Sequence, residues 1–162
     1  MKINKKRRRQ AKTNYLKRLT LLKGKLPRFV VRKTNRYIIL QIVESNDSKD
    51  KVLFSANTKE LSKYGWPENK KNSLKTITAA YLGGLLVGRK ASKIKSRIIL
   101  DSGLIPNTKG SRVYAAIKGL SDSGLDISFN DKVIPSNERI EGEHLKLEKE
   151  TFNNIKKKIT GK

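Results

Sequence analysis

Residues 27–43, PRFVVRKTNRYIILQIV, alternate apolar and polar side chains on either side of Thr34-Asn35, the pattern of two antiparallel strands joined by a tight turn. With Asn35 tolerating positive φ in the turn, Arg32 is predicted opposite Tyr37, Val31 opposite Ile38, Val30 opposite Ile39, Phe29 opposite Leu40 and Arg28 opposite Gln41. Opposed residues share a face. One face then holds Phe29, Val31, Ile38 and Leu40 and reads as core. The other holds Arg28, Arg32, Tyr37 and Gln41 around Val30 and Ile39 and reads as a binding face. A four-residue loop, Lys33 to Arg36, keeps the same pairs. Lys33 and Arg36 at the tip also fit protection of an exposed edge. As surface side chains, Arg28 and Arg32 are expected to be removable without loss of stability.

Outward from the hairpin, Ser45 to Asp50 (SNDSKD) reads as a turn and Lys51 to Ala56 (KVLFSA) as a third strand. A loop with Tyr64-Gly65-Trp66-Pro67 leads to Ser73–Ser92. There Leu74, Ile77, Tyr81, Leu82, Leu85 and Leu86 recur at helical spacing behind a cap at Asn72 or Ser73. Gly84 and Gly88 form a small-xxx-small pair that allows close backbone packing. Arg97–Leu100 (RIIL) is a short strand, and Val113, Ala116, Ile117 and Leu120 mark a second amphipathic helix ending near Gly124. The predicted class is α/β, of the α+β two-layer kind: a three-stranded antiparallel meander followed by helix, strand and helix. Three segments are expected: a basic N-terminal arm with a short helix (1–24), a single mixed α/β domain (25–126) and a C-terminal extension (127–162). In the extension, apolar residues are too scattered for a second core, and Glu141 to Leu147 reads as a short helix.

Charge points to the partner. Lys and Arg number 38 against 14 Asp and Glu, a formal net charge of +24 in 162 residues. Such a chain repels itself unless a polyanion screens it, and nucleic acid leads over an anionic membrane or an acidic protein. No residue before Glu44 is acidic, and KKRRR opens the arm at Lys5 to Arg9. A solvated arm or a nuclear-type address has that composition too, but Tyr15 lies between Lys12 and Lys17-Arg18, where a ring stacks on an unpaired base while its neighbours hold phosphates. Leu16, Leu19 and Leu22 give Asn14–Lys23 an apolar helical face expected to dock on the domain, with Gly24 stopping the helix. Lys109-Gly110-Ser111, followed by Arg112 at the second helix start, makes either a phosphate seat of free amides, hydroxyl and cations or a plain capped turn. Lys156, Lys157 and Lys158 offer either a second polyanion contact or a solvated face.

Several functions are disfavoured. There is no cysteine, so disulfides, thiolate metal sites and cysteine nucleophiles are excluded. The basic N-terminus is followed by polar residues, unlike a secretory signal, and Ile77 to Val87 is too short to span a bilayer. Asn46-Asp47-Ser48 matches the glycosylation sequon by chance in a cytosolic protein. His144 stands in the charged extension with no serine or carboxylate related to it and reads as a surface histidine. Asp101, Asp122, Asp126 and Asp131 are better explained by turns and helix ends than by a two-metal site. The reading is of a binding protein, not an enzyme, with no cofactor, metal or small-molecule substrate.

Longer motifs narrow the field. KKRRRQAKTNYLKRLTLLKGKLPRFVVRKTNRYIILQIV, YGW at Tyr64–Trp66, AAYLGGLLVGRKA at Ala79–Ala91, ILDSGL at Ile99–Leu104, KGSRVYAAIKGLSDSGLDISFND at Lys109–Asp131 and NERIEGEHL at Asn137–Leu145 run in order along nearly the whole chain. Together they resemble the archaeal form of the large-subunit ribosomal protein family that binds 5S rRNA, universal family eighteen; Asn14 stands where the family pattern has Asp. The resemblance implies a mixed sheet flanked by helices, and a cytoplasmic protein of the large (50S) subunit. It further implies attachment of 5S rRNA to 23S rRNA in the central protuberance, beside a neighbouring 5S-binding ribosomal protein. RNA contacts are implied at Arg7, Arg8, Arg9, Lys12, Tyr15, Arg18, Arg28, Arg32, Asn35 and Gln41. The residue reading adds Lys33, Arg36, Tyr37, Lys109, Ser111 and Arg112. A general basic RNA-binding chaperone not confined to the ribosome is the alternative.

Overall fold

The computed structural model describes residues 3–46 and 49–161. Strands β1 (Arg28–Lys33), β2 (Ile38–Asn46), β3 (Lys49–Asn57) and β4 (Ile99–Asp101) form one sheet in the order β3-β2-β1-β4. The first three make the expected meander, and β4 adds beside β1 in parallel. Ile98 extends that edge through a parallel bridge to Ile127. Residues 47 and 48, two of the three sequon residues and the middle of the predicted SNDSKD turn, lie outside the described residues, while Ser45 and Asn46 end β2 and Lys49 and Asp50 open β3, so the strands run further than predicted.

The hairpin register differs from the predicted one by two residues. Arg28 pairs with Val43, Phe29 with Ile42, Val30 with Gln41, Val31 with Leu40, Arg32 with Ile39 and Lys33 with Ile38. The loop is Thr34 to Tyr37, because the Thr34 side chain does part of the pairing. Its backbone N–H donates to Tyr37 O at 2.9 Å, while its hydroxyl donates to the same oxygen at 2.7 Å and accepts from Tyr37 N–H at 3.1 Å. A slip of two preserves side-chain parity, so the sorting of faces survives. Tyr37 alone leaves its predicted place. It sits in the loop, half-buried against the core edge, with Lys59 Nζ 4.5 Å from its ring centroid.

Phe29, Val31, Ile38, Leu40 and Ile42 form the core face and are almost completely buried. Of the helices α1 (Lys6–Arg9), α2 (Tyr15–Lys23), α3 (Ile77–Lys90), α4 (Arg112–Asp122), α5 (Asn137–Glu141) and α6 (Lys149–Thr160), the third lies nearest that face and packs most extensively on α4. Helix α3 starts four residues later than predicted, at a Thr76 cap that accepts from Ala79 N–H, because Ser73 has already turned its hydroxyl onto Lys70 O. The small-residue prediction holds in detail. A Cβ at Gly84 would run into Ala116 O, one at Gly88 into Ser123 Oγ, and one at Gly119 into Tyr81 O. Backbone meets backbone at Gly84 and Gly119, and the Ser123 side chain fills the space over Gly88, so an added side chain would force the helices apart.

The segment beyond residue 126 contributes to the same core. Helix α6 places Phe152, Ile155 and Ile159 on one buried face against α3, and Ile140 and Leu147 join them. Arg89 of α3 donates to Lys158 O at 3.0 Å and to Ile159 O, closing the last turn of α6. Where a helix over Glu141–Leu147 was predicted, Gly142 takes φ +92 and divides α5 from a single 3₁₀ turn at Glu143–Leu145.

Candidate nucleic-acid interface

Helix α2 is held to the sheet by polar ties, not by the apolar face the sequence offers. Lys17 Nζ donates to Ser102 Oγ at 3.0 Å and to Gly103 O at 3.2 Å, and Arg18 pairs with Asp50 at 2.8 Å. Leu16 and Leu19 point outward, 74% and 53% exposed. The helix is capped by Asn14, which accepts from Lys17 N–H, and it stops as predicted at Gly24, although Lys25 rather than the glycine takes the left-handed conformation at φ +49.

Between this helix, the arm before it and the loop after β4 lies a groove of about 780 Å³. Six cations line it, Arg7 and Lys12 from the arm, Lys17 and Arg18 from α2, and Arg32 and Lys33 from the end of β1. Tyr15 stands among them, with Lys5 Nζ 4.9 Å from its ring centroid. Arg7 is steadied by Nε donation to Thr13 Oγ1 at 2.9 Å. Lys33, Ile105 and Pro106 also border a smaller groove of about 280 Å³ at the start of α4, lined further by Thr108, Ser111 and Arg112. One basic band thus runs from the arm to the α4 terminus. Its chemistry is that of phosphate neutralisation with one aromatic stacking surface.

The structure therefore brings together Arg7, Lys12, Tyr15, Arg18, Arg32 and Lys33, with Ser111 and Arg112 next to them. Arg8 and Arg9 lie on α1, exposed and outside the groove. Asn35 and Arg36 are exposed at the hairpin tip, Lys109 is exposed beside Gly110, and Gln41 lies half-buried with its amide 3.5 Å from Ser55 Oγ. The phosphate seat is narrower than predicted, since Gly110 N–H already donates to Val133 O and Ser111 N–H to Thr108 O. Ser111 Oγ is buried with no partner among the described residues. Lys17, read in the sequence as a phosphate neighbour of Tyr15, is instead tied to the Ser102-Gly103 loop, and neither that loop nor Thr13 was singled out as a contact.

Arg28 is the principal correction. It lies on the sheet face predicted to be open, yet its side chain is 2% exposed. Nη1 pairs with Asp101 at 2.9 Å and Nη2 with Asp50 at 2.9 Å. Nε has no partner. Asp101 and Asp50 rise from the same sheet face because they pair with Val30 and Ser45 across the neighbouring strands. Asp101 also accepts from Arg32 Nη2 at 3.1 Å and from Gly103 N–H at 2.9 Å. The arginine reads as a surface cation in sequence because its counter-charges are far along the chain.

Burial alone would raise both carboxyls, but the arginines outweigh it. Arg32 and Arg28, with the Gly103 N–H, hold Asp101 below the usual carboxylate range, and Arg18, Ser45 and Arg28 do so for Asp50. A lowered folded pKa means stability that is complete above the unfolded value near 4 and is lost as pH falls through the folded one. The melting temperature is expected to be level between about pH 5 and 7 and to fall steeply below about pH 4. Thermal unfolding followed by circular dichroism across pH 2 to 7 measures this, and a level profile down to pH 2 would contradict it.

A cation-lined groove on a small sheet-and-helix scaffold defines a class, the nucleic-acid-binding structural proteins, and sequence comparison supplies the family. Residues 1–96 match the model of ribosomal large subunit proteins 60S L5 and 50S L18. The large ribosomal subunit protein uL18 of Korarchaeum cryptofilum is 48% identical over 155 residues, covering 92% of this chain and 77% of the relative. Those of Methanoregula boonei and Methanococcoides burtonii are 44% and 47% identical over 94% and 89% of this chain, and over 86% and 82% of the relatives. The chain belongs to this family of large-subunit ribosomal proteins, in its archaeal form. It is accordingly a structural component of the cytoplasmic large ribosomal subunit and not an enzyme. Among the described residues no helix is long and apolar enough to cross a membrane.

Proposed function

We propose that the chain binds 5S rRNA and helps to anchor it to 23S rRNA in the central protuberance, beside a neighbouring 5S-binding ribosomal protein. The observation that carries this reading is the groove in which the arm, α2 and the end of β1 converge six cations around Tyr15. Arg7, Lys12 and Lys33 are the exposed phosphate contacts. Tyr15 offers a ring to an unpaired base. Arg18 and Arg32 approach the RNA from positions fixed by Asp50 and Asp101. Arg8, Arg9, Asn35 and Arg36 add contacts from the arm and hairpin tip, and Arg112 extends the footprint, whereas the Ser111 hydroxyl is buried. Arg28 acts beneath this surface as its support, whereas Tyr37, packed at the core edge beside Lys59, lies away from the groove.

The test is competition between 5S rRNA and a structured RNA of equal length and different sequence, titrated with the full chain at several salt concentrations. Binding is expected to prefer 5S rRNA by about tenfold or more at physiological salt, with log affinity falling by about 0.7–0.9 per log unit of salt for each phosphate contact. Equal affinity for the two RNAs would replace this reading with that of a general RNA chaperone.

A further inference from the structure

The Arg32 guanidinium is held by three acceptors, which engage two of its three nitrogens and leave Nε free. Nη1 donates to Val31 O and to Asp101 O, both at 2.9 Å, and Nη2 donates to Asp101 Oδ1 at 3.1 Å. Both Nη1 hydrogens are therefore engaged, and Asp101 occupies the end of the group lying between Nη1 and Nη2. The two donors left over are Nε–H and the outer Nη2–H. These point in the same direction along the side edge of the plane and form the parallel fork that receives two acceptors at once. Among the described residues neither has an acceptor. The side chain is 43% exposed and lines the groove. Gly103, at φ +60, lies against the plane, and a Cβ there would come within 3.1 Å of Arg32 Cζ and Nη1. Asp101 is in turn fixed from below by the buried Arg28.

We propose that Asp101 is a positioning residue that holds Arg32 with its free fork turned to the groove, so that Arg32 selects a paired-acceptor feature of the RNA while the other cations supply unselective phosphate affinity. The feature is either a base edge with adjacent acceptors, as in guanine O6 and N7, or the two free oxygens of a phosphate that only the folded 5S rRNA brings to this point, since a phosphate by itself carries no sequence. The inference rests on the binding of 5S rRNA proposed above.

The experiment titrates parent and variants with 5S rRNA and with the equal-length competitor at several salt concentrations, alongside melting curves. Arg32→Lys keeps the charge and removes the fork, and it is expected to lose about tenfold in preference for 5S rRNA at an unchanged melting temperature. Asp101→Asn is expected to lose the same preference, and the double variant no more than either alone. Should Asp101→Asn not fold, Gly103→Ala displaces the guanidinium with every charge retained and is expected to reduce the preference too. Arg32→Gln separates the sources, since a salt slope lowered by about 0.7–0.9 identifies a phosphate and an unchanged slope a base edge. Arg32→Lys within twofold of the parent on both RNAs would overturn the proposal, as would losses that multiply in the double variant. If the parent itself shows no preference, the 5S reading falls, and the fork is then judged by the Arg32→Lys affinity for either RNA alone.

Discussion

Arg28→Ala is expected to destabilise the fold by about 3–5 kcal/mol, because it leaves two carboxylates at the sheet surface without the cation that compensates them. For a chain of this size that is a fall of roughly 10 °C or more in melting temperature. The loss combines the packing of a fully buried side chain with the charge it leaves less compensated. Asp101 keeps only Arg32 and the Gly103 N–H, and Asp50 keeps Arg18 and Ser45. Urea and thermal unfolding of the purified variant measure the effect. A loss below about 1 kcal/mol would place Arg28 among ordinary surface cations, where such pairs contribute little.

The largest effect on binding is expected from Arg7, Lys12 and Lys33 together. All three are exposed, line the groove and have no acidic partner among the described residues. Replaced by glutamine, they should lower the salt slope by about 2–3 and weaken RNA binding about a hundredfold at 0.15 M salt. Stability should stay within about 0.5 kcal/mol of the parent. Filter binding across a salt series, with a melting curve at each, decides the matter. An unchanged slope would remove the groove as the phosphate-binding surface.

The two experiments divide the cations by what each touches, and the sequence permits only part of that division. Parity in the hairpin was legible because a period of two survives the two-residue slip introduced by Thr34. The helix crossing was legible at Gly84 and Gly88 because small residues four apart in an apolar helix have few other uses. The fate of Arg28 was not legible. An arginine alternating with valines reads as facing solvent, and its main partner lies 73 residues away on a strand only three residues long. Helix α6 was hidden for a different reason. Its apolar stripe consists of Phe152, Ile155 and Ile159 in a lysine-rich background, so composition pointed to an extension while spacing pointed to a buried face. With Leu16 and Leu19 the same signal misled, because polar ties from Lys17 and Arg18 set the orientation of α2 instead.

The polar attachment of α2 carries a consequence for synthesis. Every tie that fixes the helix is made to a residue translated much later, Asp50 at a separation of 32 residues and the Ser102-Gly103 loop at 85 and 86. With no fully buried residue of its own, α2 can be tied at Asp50 first and is completely fixed only when β4 and its loop have left the ribosome. Until then the most basic part of the nascent chain is at most partly fastened, free to meet RNA before the groove it will line is complete. Encounter precedes architecture, and the finished groove closes on a segment that has already had time to find a polyanion.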